Sequence, residues 1–214
     1  PLSYRVVSNR KWWIDTGASY EAKLTAGAVE DVKDFLIREY NYDPVIKPYY
    51  EVTSVQAASP DSIRALTEKG FQITTLANGS NYLTVSARKK ALTVDQLRLL
   101  LTVREQITWL DVSGNQIGDE HLDVIIRLPN LTKLNIHSNP VSDAGILKLK
   151  RLKHLVVLKL YKTGISNEAI ESIASLPSIK RIFIWQTNLS AAAVENLVNL
   201  KPTLQVDTGF QFSE

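Results

Sequence analysis

The chain has 214 residues, of which 44% are hydrophobic and 22% charged, with a net charge of +3 and a pI near 9.0. That is an ordinary globular composition, too weakly basic to argue for nucleic acid without a focused patch. It holds no cysteine, which excludes disulfides, thiolate metal sites, a cysteine nucleophile and attached c-type haem, and it has no apolar run of about 18 residues that would span a bilayer. It also holds no methionine and opens "PLSYRVV", which reads as a piece cut from a longer protein.

Residues 1–58 are expected to be an N-terminal helical segment and connector, the tail of an upstream domain. "LSYRVVSNRKWWIDTG" (2–17) and "GAVEDVKDFLIRE" (27–39) both read as helices, and "YNYDPVIKPYYEVT" (40–53) as an ordered Pro/Tyr-rich connector. Residues 59–103 read as a degenerate capping unit. It opens with a helix capped by Ser59, with Pro60 at its first position. A strand at 71–76, an Asn78-Gly79 turn and a strand at 81–86 follow, the last of these starting the sheet. "TVDQLRLLLTVRE" (93–105) then supplies a helix carrying Leu97, Leu100 and Val103.

Residues 104–214 repeat with a period of 24. Helix columns read Leu122, Ile146, Ile170, Val194, then Ile125, Leu149, Ile173, Leu197, then Leu128, Leu152, Leu176, Leu200. Strand columns read Leu110, Leu134, Leu158, Ile182 and Val112, Ile136, Leu160, Ile184, and a turn column reads Ile117, Val141, Ile165, Leu189. The units "ITWLDVSGNQI", "LTKLNIHSNPV", "LVVLKLYKTGI" and "IKRIFIWQTNL" resemble the leucine-rich-repeat pattern. The expected fold is therefore α/β: a leucine-rich-repeat solenoid, with a parallel sheet on the concave face and short helices on the convex face. One unit cannot bury its apolar face alone, whereas stacked units share one core. Gly118, Ser142, Ser166 and Ser190 fall where helix N-caps belong, followed by Asp119, Asp143 and Asn167. Asn115 and Asn139 stand where a side chain bonds loop backbone, with Thr163 and Thr187 replacing them later. "LQVDTGF" reads as a last strand without a helix.

No catalytic motif is present: there is no G-x-S-x-G, H-E-x-x-H, Walker A or G-x-G-x-x-G. His121, His137 and His154 do not fall at metal spacing, and His121 and His154 read as solvated surface residues. The basic run "KLKRLKH" (148–154) reads as a solvated helix face, with contact to an anionic surface as the alternative. Asn-x-Ser/Thr matches at Asn130 and Asn188 read as by-products of the repeat pattern, and Asn78-Gly79-Ser80 is a third match.

Strand alternation turns the other side chains outward. Three outward columns result: Trp109, Lys133, Val157, Arg181; Asp111, Asn135, Lys159, Phe183; and Ser113, His137, Tyr161, Trp185. Strands about 5 Å apart would bring His137, Tyr161 and Trp185 into an aromatic ladder, with Phe183 and Trp185 facing water. Aromatic residues and arginine anchor protein interfaces, so the expected contact surface is Trp109, Asp111, Lys133, Asn135, His137, Lys159, Tyr161, Arg181, Phe183 and Trp185. The alternatives are cross-strand pairing with no ligand, and carbohydrate stacking on the ladder.

A narrower resemblance rests on "RKWWIDTGASYEAKL" (10–24), "KGFQITTL" and "IFIWQTNLS…LKPTLQVDTGF". These resemble the C-terminal part of Bacteroidetes and Planctomycetes membrane proteins with a planctomycete-type cytochrome c domain followed by leucine-rich repeats. The resemblance implies a "WWI..GA" helix closing that domain, and an exported, periplasm-facing bacterial module. The haem-binding Cys-x-x-Cys-His is missing here, so haem belongs, if anywhere, to the upstream part. The expected function is non-catalytic binding of a protein partner, with no nucleic acid and no membrane contact by this segment. The alternatives are a glycan-binding module, or a scaffold segment of a membrane cytochrome c protein with no ligand of its own.

Overall fold

The 24-residue period appears in three dimensions as a stack of strand-plus-helix layers. In the computed structural model, residues 3–7, 11–15, 55–77, 79–87 and 91–209 are described. The chain divides into two compact units, Pro1–Tyr49 and Tyr50–Glu214.

In the first unit the expected helix at 2–17 is instead a pair of strands, β1 (Ser3–Val7) and β2 (Lys11–Asp15). They pair antiparallel, with Arg5 opposite Trp13 and Val7 opposite Lys11. The reason is composition: Tyr4, Val6, Val7, Trp12, Trp13 and Ile14 are the β-branched and aromatic types that favour an extended chain. The Trp12-Trp13-Ile14 run is therefore not the helix that the cytochrome resemblance implies. The helix at 27–39 and the connector at 40–53 lie outside the described residues.

The second unit opens with α1 (Pro60–Glu68), where Ser59 accepts from the Ser62 N–H at 3.1 Å and Pro60 fills the first turn. Strands β3 (Gln72–Thr75) and β4 (Leu83–Ser86) form an antiparallel pair, with Gly79 at φ +78° between them. The sheet thus starts one strand earlier than expected, at β3. Helix α2 (Val94–Arg98) has a full capping box between Thr93 and Gln96 and continues as a 3-10 turn, Leu99–Val103. Leu97, Leu100 and Val103 are fully buried.

Four layers follow. Their strands are β5 (Ile107–Asp111), β6 (Lys133–Asn135), β7 (Val157–Lys159) and β8 (Arg181–Phe183). Their helices are α3 (Asp119–Ile125), α4 (Asp143–Lys148), α5 (Ile170–Ala174) and α6 (Ala191–Leu200). Strand β9 (Gln205–Asp207) closes a seven-stranded sheet in the order β3-β4-β5-β6-β7-β8-β9, parallel from β4 onward. Leu110, Leu134, Leu158 and Ile182 form one fully buried row behind it. The helix rows match them until the last layer: Leu128, Leu152 and Leu176 are 0–1% exposed, whereas Leu200 is 53% exposed.

Polar side chains join the layers. The Asn139 carboxamide accepts from the Asn115 and Ile117 N–H groups at 2.8 and 3.0 Å. Its NH2 reaches the carbonyls of Val112 and Ile136, both at 3.0 Å, and of His137 at 3.2 Å. Thr163 and Thr187 keep only the short-range part, donating to the Leu160 and Ile184 carbonyls.

The cap column does a second job. Ser142 makes no side-chain cap to its own helix. Its hydroxyl donates to the Asp119 carboxylate, which also accepts from the Ser142 N–H at 3.0 Å. Asp143 holds Ser166 the same way, at 2.7 Å to both N and Oγ, and Asn167 accepts from the Ser190 N–H at 2.9 Å. Gly145 is needed here, since a Cβ would collide with the Asp119 carboxylate and with Leu122. At the far end, Lys201 Nζ donates to the carbonyls of Ala174 (3.0 Å) and Leu176 (2.6 Å). Its partial burial holds its pKa below the usual lysine value.

His121 is buried, not solvated as the sequence suggested. Its Nδ1 accepts from the Gly118 N–H (3.1 Å) and its Nε2 donates to the Leu92 carbonyl (3.0 Å), which fixes the neutral tautomer. Glu120 Oε1 also lies 3.0 Å from Nδ1, an ion pair that forms only on a protonated ring. The neutral ring satisfies both backbone groups, and in that role His121 ties the capping unit to the first repeat.

After each concave strand the chain turns through a left-handed residue. Gly114 (φ +64°), Ser138 (+55°), Lys162 (+55°) and Gln186 (+54°) occupy this column. A side chain there costs about 1 kcal/mol against glycine. Lys162→Gly and Gln186→Gly, both at exposed positions, are expected to stabilise the protein by about 1 kcal/mol each, read as a raised urea midpoint. Gly114→Ala meets no atom within 4 Å, so its expected loss of about 1 kcal/mol isolates backbone strain. Asn139→Ala leaves the buried Asn115 and Ile117 N–H groups without their acceptor and is expected to cost about 3 kcal/mol in the same titration.

Candidate functional site

The concave surface is set by strand register. Trp109, Lys133, Val157, Arg181 and Gln205 are mutual neighbours along one row, and Asp111, Asn135, Lys159, Phe183 and Asp207 along the next. The third row follows the strands and is held by backbone bonds. The N–H groups of Gly114, Ser138 and Lys162 donate to the carbonyls of His137, Tyr161 and Trp185, at 3.0, 3.0 and 3.1 Å. In this way the left-handed column pins the aromatic row.

The rings of that row stack. His137 and Tyr161 lie 4.0 Å apart between centroids at 16°, and Tyr161 and Trp185 lie 3.9 Å apart at 10°. Those spacings are tighter than the distance between strands, so the rings lean into one another. The His137 ring is also oriented by Ser138 Oγ, 2.9 Å from Nδ1. Phe183 meets Trp185 edge-on at 5.8 Å. Beyond Trp185 the row ends at Gly209 (φ +81°), where an added Cβ would sit 3.0 Å from Trp185 Cβ and 3.2 Å from Cγ. Tyr161 therefore has a ring against each face, and Trp185 has Tyr161 on one side and Gly209 on the other. The ladder shows its edges.

Of the ten residues expected on this surface, Trp109, His137, Lys159, Tyr161, Arg181 and Trp185 are half-buried. Asp111, Lys133, Asn135 and Phe183 are buried, at 4–7% exposure, which corrects the expectation that Phe183 faces water. Lateral packing accounts for part of this. Lys133 Nζ lies 4.7 Å from the Trp109 ring centroid, and Lys159 Nζ lies 5.3 Å from that of Phe183. Asp111 accepts from the Ser113 N–H (3.1 Å) and hydroxyl (2.7 Å), and Arg181 Nε donates to Gln205 (2.9 Å). Trp109 stands apart from the ladder, and its Nε1 is a buried donor with no hydrogen-bond partner among the described residues. Sequence reasoning missed Gly209, although its place one period after Trp185 was available as a signal.

No group of residues able to hold a metal ion is found among the described residues, and none of their helices is long and apolar enough to cross a membrane.

A family model described as "Leucine Rich repeat" matches residues 107–120 and 127–150. The fold is a leucine-rich-repeat solenoid. Among solved structures, an internalin (inlF) from Listeria monocytogenes is similar at 30% identity, with a TM-score of 0.44. The match covers 54% of this chain and 32% of the internalin, so the chain spans about a third of that protein's length. The tropomodulin C-terminal domain of Caenorhabditis elegans is similar at 16% identity, covering 67% of this chain and 90% of that one, with a TM-score of 0.46. The actin-binding site 2 of leiomodin-1 is similar at 7% identity, covering 74% and 83%, with a TM-score of 0.34. A search of curated proteins finds no match.

Two outcomes check the site's energetics. Trp109→Phe removes the orphan donor while keeping most of the ring, and should leave stability unchanged or raise it by about 1 kcal/mol in urea unfolding. A double-mutant cycle on Tyr161→Ala and Trp185→Ala should return a coupling of about 1 kcal/mol, the value of a stacked aromatic pair beyond its buried area.

Proposed function

We propose that this leucine-rich-repeat segment is a non-catalytic module that binds a protein partner on its concave face. The observation that carries this reading is the continuous His137–Tyr161–Trp185 stack. Its rings are locked before any partner arrives, so binding orders little and loses little entropy. Half-buried Arg181 beside the stack, and Trp109 apart from it, supply residue types that concentrate interface energy. Buried Asp111, Lys133, Asn135 and Phe183 support these groups from beneath.

The covered ring faces favour protein over glycan. A sugar stacks by laying its ring flat on an open aromatic face, and both faces of Tyr161 are taken. Edges, by contrast, suit the mixed polar and apolar contacts of a polypeptide. We also read the segment as part of a larger exported bacterial protein facing the periplasm. That reading rests on the sequence resemblance alone, carried by residues 10–24, "KGFQITTL" and "IFIWQTNLS…LKPTLQVDTGF".

Affinity capture from the host's extract, followed by mass spectrometry, tests the concave face. Tyr161→Ala/Trp185→Ala should lose the captured proteins while its far-UV spectrum stays unchanged. Capture of the same proteins by the double variant would overturn the proposal. Oligosaccharide quenching of tryptophan emission, abolished in that variant, would replace the protein partner with a glycan.

A further inference from the structure

The connections from helix to strand carry a second surface. After α3, α4 and α5 these are residues 126–132, 150–156 and 174–180. They lie side by side: the Val156 N–H donates to the Thr132 carbonyl at 2.8 Å and Ser178 Oγ to the Lys153 carbonyl at 2.7 Å, while Asn130 reaches the Glu105 carbonyl of the preceding connection, whose Arg104 and Glu105 pair with each other. Together they hold Arg127, Lys150, Arg151, Lys153 and Lys180, and no aspartate or glutamate. Arg127, Arg151, Lys153 and Lys180 are exposed, and Lys150 is half-buried.

Elsewhere on the second unit, cations tend to have partners. Arg64 pairs with Asp61, Arg98 with Asp95, Arg104 with Glu105 and Lys148 with Asp123. On this edge none of the five has an ion pair among the described residues. The helix dipole explains only part of the arrangement. Cations gain from a helix C-terminus within its last turn. Lys150 and Arg151 meet that condition in the 3-10 turn Leu149–Arg151. Lys153 and Lys180 lie past the helices, and the last turns of α3 and α5 hold no basic residue. Net charge does not explain it either, since the whole chain is only +3.

We infer that this edge docks an acidic segment of a protein partner, independently of the concave face. The chemistry favours carboxylates on a polypeptide. Two arginines one repeat apart present planar forks that bond carboxylates in pairs. The three connections hold no phenylalanine, tyrosine or tryptophan on which bases could stack, as single-stranded nucleic acid requires. They also hold no exposed large apolar side chain to enter a bilayer, since those residues are Leu147, Val198 and Leu200.

The test is fluorescence anisotropy with a labelled glutamate homopeptide on the full chain. Binding should weaken steeply between about 0.05 and about 0.2 M salt. Arg127→Glu/Arg151→Glu/Lys153→Glu should weaken it by roughly tenfold or more, and the corresponding glutamine variants by less. Tyr161→Ala/Trp185→Ala should bind the peptide as the parent does, which separates this surface from the concave one. Absence of binding at low salt, or equal binding by the reversed variant, would overturn the inference. So would tighter binding to duplex DNA, or to vesicles of phosphatidylglycerol in phosphatidylcholine, than to the peptide.

Discussion

Everything in the second unit depends on one constraint: a polar group buried in one layer is satisfied by the layer beside it. Asn139 is the clearest case, because its carboxamide fills backbone donors of the preceding loop and carbonyls on both sides. Asp119 and Asp143 do the same on the convex side, each holding the serine that begins the following helix. The spacing of 24 residues is thus a bonding distance as well as a hydrophobic period. A one-residue insertion between layers would break the apolar rows and leave these buried groups unpaired at the same stroke.

The concave surface inherits this precision. Parallel strands in strict register put His137, Tyr161 and Trp185 in line, and the left-handed residues after them fix the backbone that carries the rings. The stack is therefore a property of the fold, present whether or not a partner binds. Its closed faces narrow what it can recognise. The helix-to-strand edge differs in kind: its five cations are long side chains with no ion pair among the described residues, so it acts over distance where the stack acts on contact.

Much of this was legible in the residues. The apolar columns, the capping of α1 by Ser59 and the aromatic row all followed from spacing alone. Other expectations differ from the structure, each for a physical reason. Residues 2–17 read as a helix from the sequence, but Tyr4, Val6, Val7 and the Trp12-Trp13-Ile14 run carry strand propensity, and strands form at Ser3–Val7 and Lys11–Asp15. The serine column does stand at helix N-caps, with Ser166 and Ser190 accepting from their own helix N–H groups, but spacing alone did not show the second bond to the aspartate or asparagine one layer back. An outward strand position is not an exposed one, because side chains on adjacent strands cover one another within a row, as Lys133 over Trp109 and Lys159 over Phe183 demonstrate. His121 was misjudged because both its partners are backbone groups, which no side-chain pattern reveals.

The 53% exposure of Leu200, against 0–1% for its three counterparts, bears on how the molecule opens. Helix α6 has one layer beneath it and buries only Leu197 completely. It is therefore less protected than the inner helices, and its amide protons should exchange before those of the central layers. Stability along the solenoid is graded, falling from the central layers toward this end.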